Sequence, residues 1–326
     1  MKILVIIVTL SRYFLRHEIS SLNDKFLKKY QKIILNNSQF NLNDVILLSK
    51  RFVEACIGIA IRYDVPLFVG FSGGKESTTL LHLTINVTKK LLGDINLIKV
   101  LYIEIPGNTH EKNIEYVYYI IETFEIPKKN LIHLKSSMDF FEALKKWGFP
   151  SYRRRWCMNV FKRHVLLNFL KRFDIPPIVL VGDRLSDSSR RRNLLSKKGF
   201  IEFNKAWYQF TAHPLLHWKR WHVLMYILLK KIELNPLYKE IKHSGNCIYC
   251  PFITDIEYYE LLREKYPAWY KKIIDAERNM KNGGGALFVS NRVFRLEDLL
   301  EKNNSALNEN IKKILRYKRP CYYCMI

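Results

Sequence analysis

The chain lacks any run near the ~18 consecutive apolar residues that a membrane-spanning helix needs, so nothing in it predicts a membrane partner. Acidic residues are scarce: 30 Asp plus Glu stand against 54 Lys plus Arg, a formal charge of +24. That balance favours polyanionic partners such as nucleic acid or nucleotides, although a Lys-rich composition with solvated basic faces gives the same number. No internal repeat or low-complexity tract is present. No export signal is legible either. Met1-Lys2 and the apolar Ile3 to Leu10 begin like one, but the run is short, no small-residue cleavage site follows, and Arg12 and Arg16 come next. Residues 3–10 therefore read as a buried strand or helix start, and the expected location is cytoplasmic. Cysteine is sparse, with six in the whole chain: Cys56, Cys157, Cys247, Cys250, Cys321 and Cys324. Four of these form two C-x-x-C pairs, which without an export signal point to metal or redox work rather than a disulfide scaffold. Cys56, inside the apolar helical stretch from Val53 to Ala60, reads as buried filler. What is plentiful is core material: 48% hydrophobic and 13% aromatic residues exclude a largely disordered chain.

Hydrophobic periodicity organises the chain. Residues 20–62 read as helical, with Leu22, Phe26 and Tyr30, then Val45, Leu48, Phe52 and Ile59 near 3.6-residue spacing. Short continuous apolar strands are predicted at Leu67 to Phe71, Leu97 to Ile105, around 131–134, and Pro177 to Gly182, with helices between them. Strands alternating with helices predict an α/β fold with a doubly wound, Rossmann-like parallel sheet whose ligand lies beyond the carboxyl ends of the strands. From about Pro236 the alternation stops and cysteines, Gly283 to Gly285 and Tyr- and Lys-rich helical pieces take over. The expected organisation is a helical extension over 1–62, a nucleotide domain over 63–235 and a cysteine-bearing C-terminal region over 236–326.

Ser72-Gly73-Gly74-Lys75-Glu76-Ser77 follows a buried strand and opens a helix. Glycines there let the backbone approach phosphate oxygens, and the helix's first-turn N–H groups and dipole favour negative charge. Lys75 supplies a point charge, and Ser72 and Ser77 supply hydroxyl donors. The spacing is not that of a Walker loop. The segment resembles the PP-loop superfamily, whose signature is Ser-Gly-Gly-Lys-Asp-Ser. That resemblance implies an adenine-nucleotide α-hydrolase-like fold that cleaves ATP between the α and β phosphates. Glu76 departs from the family's Asp but keeps a carboxylate for Mg²⁺.

Further segments resemble the phosphoadenosine phosphosulfate (PAPS) reductase family within that superfamily. Leu101 to Glu111 is similar to its second strand and following turn, and Gly148 to Cys157 with Lys162 to its Arg-Trp-Cys…Lys element. Gly182-Asp-Arg184-Leu-Ser-Asp187-Ser188-Ser-Arg-Arg191 fits Gly-x-Arg-x-x-Glu-Ser-x-x-Arg, with Asp for Glu. Pro214 to Trp218, Asn235 to Tyr238 and Gly245 to Phe252 continue in the family's order. Arg184 and Arg191 on a loop after a strand can grip phosphate or sulfate as bidentate forks, and Asp187 can orient one of them or bind metal. Gly182 and Ser188 belong to the same expected site. Arg153, Arg154 and Arg155 divide evenly between a substrate grip and a solvated face. Trp156, Trp218 and Trp221 read as core aromatics, and His213, His217 and His222 as hydrogen-bonded structural histidines. His110, on a loop after a strand, leaves an active-site role open. Sulfonucleotide reductases lack a lysine in this loop and share a Glu-Cys-Gly-[Ile/Leu]-His tail that is absent here. These departures favour a genuine ATP pyrophosphatase. Related members with an intact loop act in DNA phosphorothioation and other sulfur insertions, so DNA or tRNA and a sulfur-donor protein are the partners implied.

Cys247-x-x-Cys250 before Pro251 is the strongest metal signal, since two thiolates at this spacing can share one centre. Four ligands are needed, and Cys157, Cys321 and Cys324 are the candidates to complete the set. Resemblance to iron–sulfur members implies a [4Fe-4S] cluster, with structural Zn²⁺ as the alternative. Sulfur-carrying thiols remain a further reading, with the tail pair's thiol pKa lowered by Lys318 and Arg319. The rival activities are a sulfonucleotide reductase with a cysteine nucleophile, and a non-enzymatic nucleic-acid-binding subunit with a vestigial nucleotide site.

Overall fold

The structure, a computed structural model, describes residues 13–29, 41–280, 285–289 and 292–300. The expectations for residues 1–12, the Gly283-Gly284 pair and Cys321 and Cys324 fall outside these.

Helix α1 covers 13–29, and α2, Leu42–Arg62, opens on a capping box in which Asn41 and Asp44 each accept from the other's backbone N–H. Strand β1, Leu67–Gly70, is buried at all four positions, as a central parallel strand must be. Helix α3, Lys75–Leu92, starts directly after Gly74 and stops at Gly93, whose φ of 80° only glycine adopts readily. Strand β2 spans Ile98–Glu104, α4 spans Glu111–Thr123, β3 spans Leu131–Lys135 and α5 spans Phe140–Trp147. A wide π-type turn at Met158–Arg163 leads into α6, His164–Leu170. Then come β4, Ile178–Leu180, α7, Ser189–Lys198, β5, Ile201–Asn204, and β6, Gln209–Ala212. Helix α8 covers Arg220–Leu229 and α9 covers Leu237–Glu240. The last elements are α10, Ile256–Lys265, α11, Pro267–Arg278, the hairpin β7–β8, Leu287–Val289 and Arg292–Phe294, and α12, Leu296–Leu300. Among the described residues no helix is long and apolar enough to cross a membrane.

Six strands form one sheet in the order β3-β2-β1-β4-β6-β5. Five run parallel, as the strand–helix alternation predicts, and β5 closes the edge antiparallel to β6. The β5–β6 hairpin is not among the predicted strands: each strand is only four residues long, so its alternation, Ile-Glu-Phe-Asn and Gln-Phe-Thr-Ala, is too short to stand out as a pattern. Chain order reverses at β1: β2 and β3 lie on one side of it, β4 and β6 on the other. A crevice at the carboxyl ends of β1 and β4 is therefore where a ligand is expected.

Each face of the sheet is covered. Leu67, Val69, Val100, Leu180 and Ala212 pack with α1, α2, α3, α4 and α8, while Phe68, Leu101, Ile103, Val179 and Val181 pack with Leu166 and Leu170 of α6. A third cluster joins Phe140, Leu144, Trp156 and Phe161 to Leu237, Tyr249, Tyr259, Ile273 and Leu287. One expectation fails. Trp156 and Trp218 are buried, but Trp221 is 45% exposed, because α8 buries His222, Val223, Tyr226 and Ile227 and turns Trp221, Leu224 and Leu228 outward. Apolar residues occupy both faces of that helix, so periodicity alone cannot say which side is the core.

Candidate nucleotide and thiol site

The loop after β1 is built for close approach. Gly73 has φ 74°, and a Cβ there would collide with the Asn113 side-chain amide. That amide donates to Ser72 O at 3.1 Å and Ser244 O at 2.8 Å, and Asn235 donates to Ser244 O at 2.9 Å and Gly73 O at 3.4 Å. Ser77 Oγ donates to Gly74 O at 2.8 Å and accepts from Ser72 N at 3.2 Å, which folds the loop onto its helix. The backbone N–H of Lys75 donates to Tyr238 Oη at 3.1 Å, and Lys75 Nζ lies 5.3 Å from the centre of that ring. Tyr238 is partly buried, and desolvation of its hydroxyl pushes the phenol pKa far above the usual value, so it stays neutral.

The loop after β4 meets this one. Gly182 sits so close that a Cβ would lie 3.3 Å from the Glu76 backbone carbon. Arg184, 1% exposed, donates from Nη2 to Glu76 Oε1 at 3.0 Å and from Nε to Asp187 Oδ1 at 2.8 Å. Glu76 Oε1 also takes Lys75 Nζ at 3.0 Å. Arg191 reaches Asp187 Oδ2 at 3.0 Å and Asp183 Oδ1 at 3.1 Å, and its backbone N–H donates to Ser188 Oγ, the cap of α7. Lys75, Arg184, Arg191 and Asp187, with Glu76 and Asp183 between them, thus form one chain of alternating charge across the crevice. Arg184 Nη1 is buried without a hydrogen-bond partner, an unmet cationic donor in that network. Burial raises the Asp183 pKa to about 6, against the opposing pull of Arg191. Both carboxylates expected to meet Mg²⁺, Glu76 and Asp187, already hold two of the protein's own cations each. As placed, they do not fit a resident ion.

The thiols gather beside this crevice. Cys157, Cys247 and Cys250 line one small cavity with Asn108, Arg155, Lys162 and Phe252. The cysteine loop is laced to the turn after β2: Asn108 Nδ2 donates to Tyr249 O at 2.9 Å, Tyr249 N to Asn108 Oδ1 at 2.7 Å, and Thr109 Oγ1 to Asn246 O at 3.0 Å. The donors suit a thiophilic group, three sulfurs around one cavity. Yet among the described residues no set of three or more His, Cys, Asp or Glu is drawn together closely enough to hold a metal ion. Cys56 is wholly buried in α2, away from this group, and burial pushes its thiol pKa up.

The fold and both loops find a match among known sequences: residues 66–267 match the family model described as the phosphoadenosine phosphosulfate reductase domain. The chain belongs to that family. Its PAPS reductase domain therefore runs from the residue before β1 to the first residue of α11, taking in both loops and Cys157, Cys247 and Cys250. An uncharacterized protein of Methanocaldococcus jannaschii is 30% identical over 207 residues, which are 63% of this chain and 40% of that protein. The chain spans half or less of the length of the curated relatives it matches. Among solved structures, phosphoadenylyl-sulfate reductase from Candida auris in a phosphate complex is 16% identical, with 62% of this chain and 92% of that chain covered and a TM-score of 0.42. The U34-tRNA thiolase of Methanococcus maripaludis with its [4Fe-4S] cluster is also 16% identical, covering 74% of this chain and 80% of that chain, with a TM-score of 0.40.

Several residues of the PAPS reductase domain's site escape a reading by motif. Asn113, Asn235, Tyr238 and Asp183 brace or charge it; the Asn235 to Tyr238 segment is signalled by its place in the family's order, Asp183 stands at the unspecified position of Gly-x-Arg, and Asn113 carries no sequence signal. The basic triplet divides: Arg153 and Arg154 are exposed, while Arg155 lies over the Phe252 ring at 5.0 Å beside the thiol cavity. His110 caps α4 by accepting from Lys112 N at 3.1 Å and packs between Tyr266 and Trp269; burial lowers its pKa. A larger cavity, about 1010 Å³, lies between α5, α11 and β7–β8, but its lining includes none of the charged chain.

Proposed function

We propose that this PAPS reductase-family chain binds ATP at Ser72 to Ser77 and transfers its AMP moiety to an acceptor, releasing pyrophosphate, as the activating step of a sulfur transfer. The observation that carries this reading is that Lys75 and Arg184 meet on Glu76 of a glycine-rich loop at the sheet's switch point, with Arg191 tied to Arg184 through Asp187. An acceptor oxygen attacks the α-phosphorus, and the bond from that phosphorus to the bridging oxygen of pyrophosphate breaks. The Gly73–Gly74 backbone cradles the phosphates, and Lys75 takes up charge that develops on the leaving group. Arg184 presents Nη1, and the Glu76 and Asp187 carboxylates fix its plane so that the cation needs no reorganisation. Mg²⁺ enters as the counter-ion of ATP and is part of the substrate. The chain divides by role into a helical extension over 1–62, this nucleotide unit over 63–235, and a thiol-bearing region over 236–326.

The charge of +24 supports DNA or tRNA as the acceptor class, with a sulfur-donor protein as a second partner. Cys157, Cys247 and Cys250 would hold a [4Fe-4S] cluster or Zn²⁺, with a fourth ligand from Cys321, Cys324 or outside the chain. Such a group would bind and activate sulfur; the residues around it, Lys162 and Arg155 above all, keep anionic ligands close.

The test is turnover of ATP to AMP and pyrophosphate, with candidate nucleic acids added. Lys75→Ala abolishes it in the expected outcome. If a folded Lys75→Ala protein turns over at the full rate, the loop is not the site. Sulfite released from a sulfonucleotide, without pyrophosphate from ATP, would instead identify a reductase.

A further inference from the structure

Beyond β4, on the side away from β1, a cavity of about 310 Å³ opens between the β5–β6 hairpin and α6. It runs along the α6-covered side of the sheet, from Asp183 beyond the carboxyl end of β4 to Gln209 at the start of β6, and is near the lower limit for small-molecule pockets. Gln209, on β6, forms part of its wall and is 4% exposed. The Gln209 amide donates from Nε2 to Thr211 Oγ1 at 3.1 Å, but its Oε1 is buried without a hydrogen-bond partner. A buried amide oxygen left unmet costs ~1–3 kcal/mol, so this acceptor is explained if a ligand supplies the donor. Trp207, half-buried in the turn of the hairpin, lines one side, and Leu166 of α6 the other, which leaves a slot with aromatic and aliphatic walls. Arg155 and Arg190 stand among its lining residues, and so do Asp183 and Arg191, the end of the charged chain of the first site.

We propose that this cavity receives the acceptor: a planar heterocycle with an exocyclic amino group, attached to a phosphate, as in a single nucleotide. The amino group donates to Gln209 Oε1, the ring lies against Trp207, and Arg155 and Arg190 take the phosphate. The inference rests on the reading of Ser72 to Ser77 as the ATP site, and the two positions are distinct. In the strand order β2-β1-β4-β6, the phosphate loop follows β1, whereas the cavity is walled by the end of β4 and by β6, with no residue from β1 or β2. Its position also fits a substrate that must meet both chemistries: Asp183 and Arg191 join it to the nucleotide loops, and Arg155 and Met158 line this cavity and the thiol cavity alike. One strand base swung out of its stack and one free nucleotide present the same chemistry, so the experiment separates them.

The full-length protein is saturated with α,β-methylene-ATP, and second-site binding is measured for AMP, CMP, UMP and IMP and for single strands of ~8 nucleotides. The expected result is binding in addition to the analogue, with amino-bearing bases favoured about tenfold over their keto counterparts. Gln209→Leu removes that preference, Gln209→Glu, which keeps an acceptor, retains it, and Trp207→Ala weakens binding about tenfold while Trp207→Phe restores most of it. Binding of mononucleotides as tight as that of strands supports a free nucleotide as the source; binding confined to strands and steeply salt-dependent supports a nucleic acid. The proposal is overturned if neither ligand binds beside the analogue, or if binding ignores both Gln209 and Trp207 in variants that melt like the parent. Failure of the ATP reading is seen separately: it appears as no binding of the analogue, or as binding indifferent to Lys75→Ala.

Discussion

Replacing Arg184 with Met tests whether the two loops are held together by charge. The side chain is 2% exposed and bridges Glu76, 2% exposed, and Asp187, 1% exposed. Met keeps much of the volume and removes the guanidinium, so the loss reports the ion network rather than a cavity. Breaking a buried pair by deleting one partner costs ~3–5 kcal/mol. Here each stranded carboxylate keeps one cation, Glu76 through Lys75 at 3.0 Å and Asp187 through Arg191 at 3.0 Å, so the lower end, about 3 kcal/mol, is expected. In a chain of this size that corresponds to a fall in melting temperature of roughly 4 °C. Urea denaturation of the parent, Arg184→Met, Glu76→Gln and the double variant supplies the coupling. The double variant should recover ~1–2 kcal/mol, because Gln carries no charge to strand. A loss under ~1 kcal/mol for Arg184→Met, with no coupling to position 76, would refute the claim that this network joins the loops.

Acid should destabilise the fold. Burial lowers the pKa of His82 to about 4 and of His213 and His217 to about 3, so between those values and 6.5 the unfolded chain binds protons that the folded chain refuses. Their contribution is complete above pH ~6.5 and is lost as pH falls towards 3–4, roughly 2 kcal/mol each for His213 and His217 between pH 6.5 and 5. Asp183, raised to about 6, works the other way and loses stability as pH rises from about 4 to 6, so a urea midpoint that does not drop from pH 7 to pH 5 would contradict the histidine assignment. Anaerobic preparation should yield iron and acid-labile sulfide in near-equal amounts, lost in Cys247→Ser and retained in Cys56→Ser. One zinc without iron would exclude the cluster but keep the ligands, and neither metal after reconstitution would leave a thiol-carrier role for these cysteines.

The local parts of this protein are written in its sequence. A continuous apolar tetrad becomes the buried β1, and Ser72 to Ser77 becomes a strand–loop–helix cradle, because both depend on residues adjacent in the chain. The Gly182 to Arg191 spacing likewise announces a charged loop after a strand. The antiparallel β5–β6 edge is not legible although its partners are close in the chain, since each strand is only four residues long and so short an alternation carries little signal. Nor could periodicity tell the buried from the exposed face of α8, where Trp221 turns outward. Tertiary structure alone sets Arg184 against Glu76, 108 positions away, lets Asn113 and Asn235 clamp the glycine loop, and leaves Gln209 Oε1 unmet. The physical reason is common to all of these. Backbone conformation and amphipathicity are short-range properties, whereas ion pairing and desolvation depend on which segments the folded sheet brings face to face.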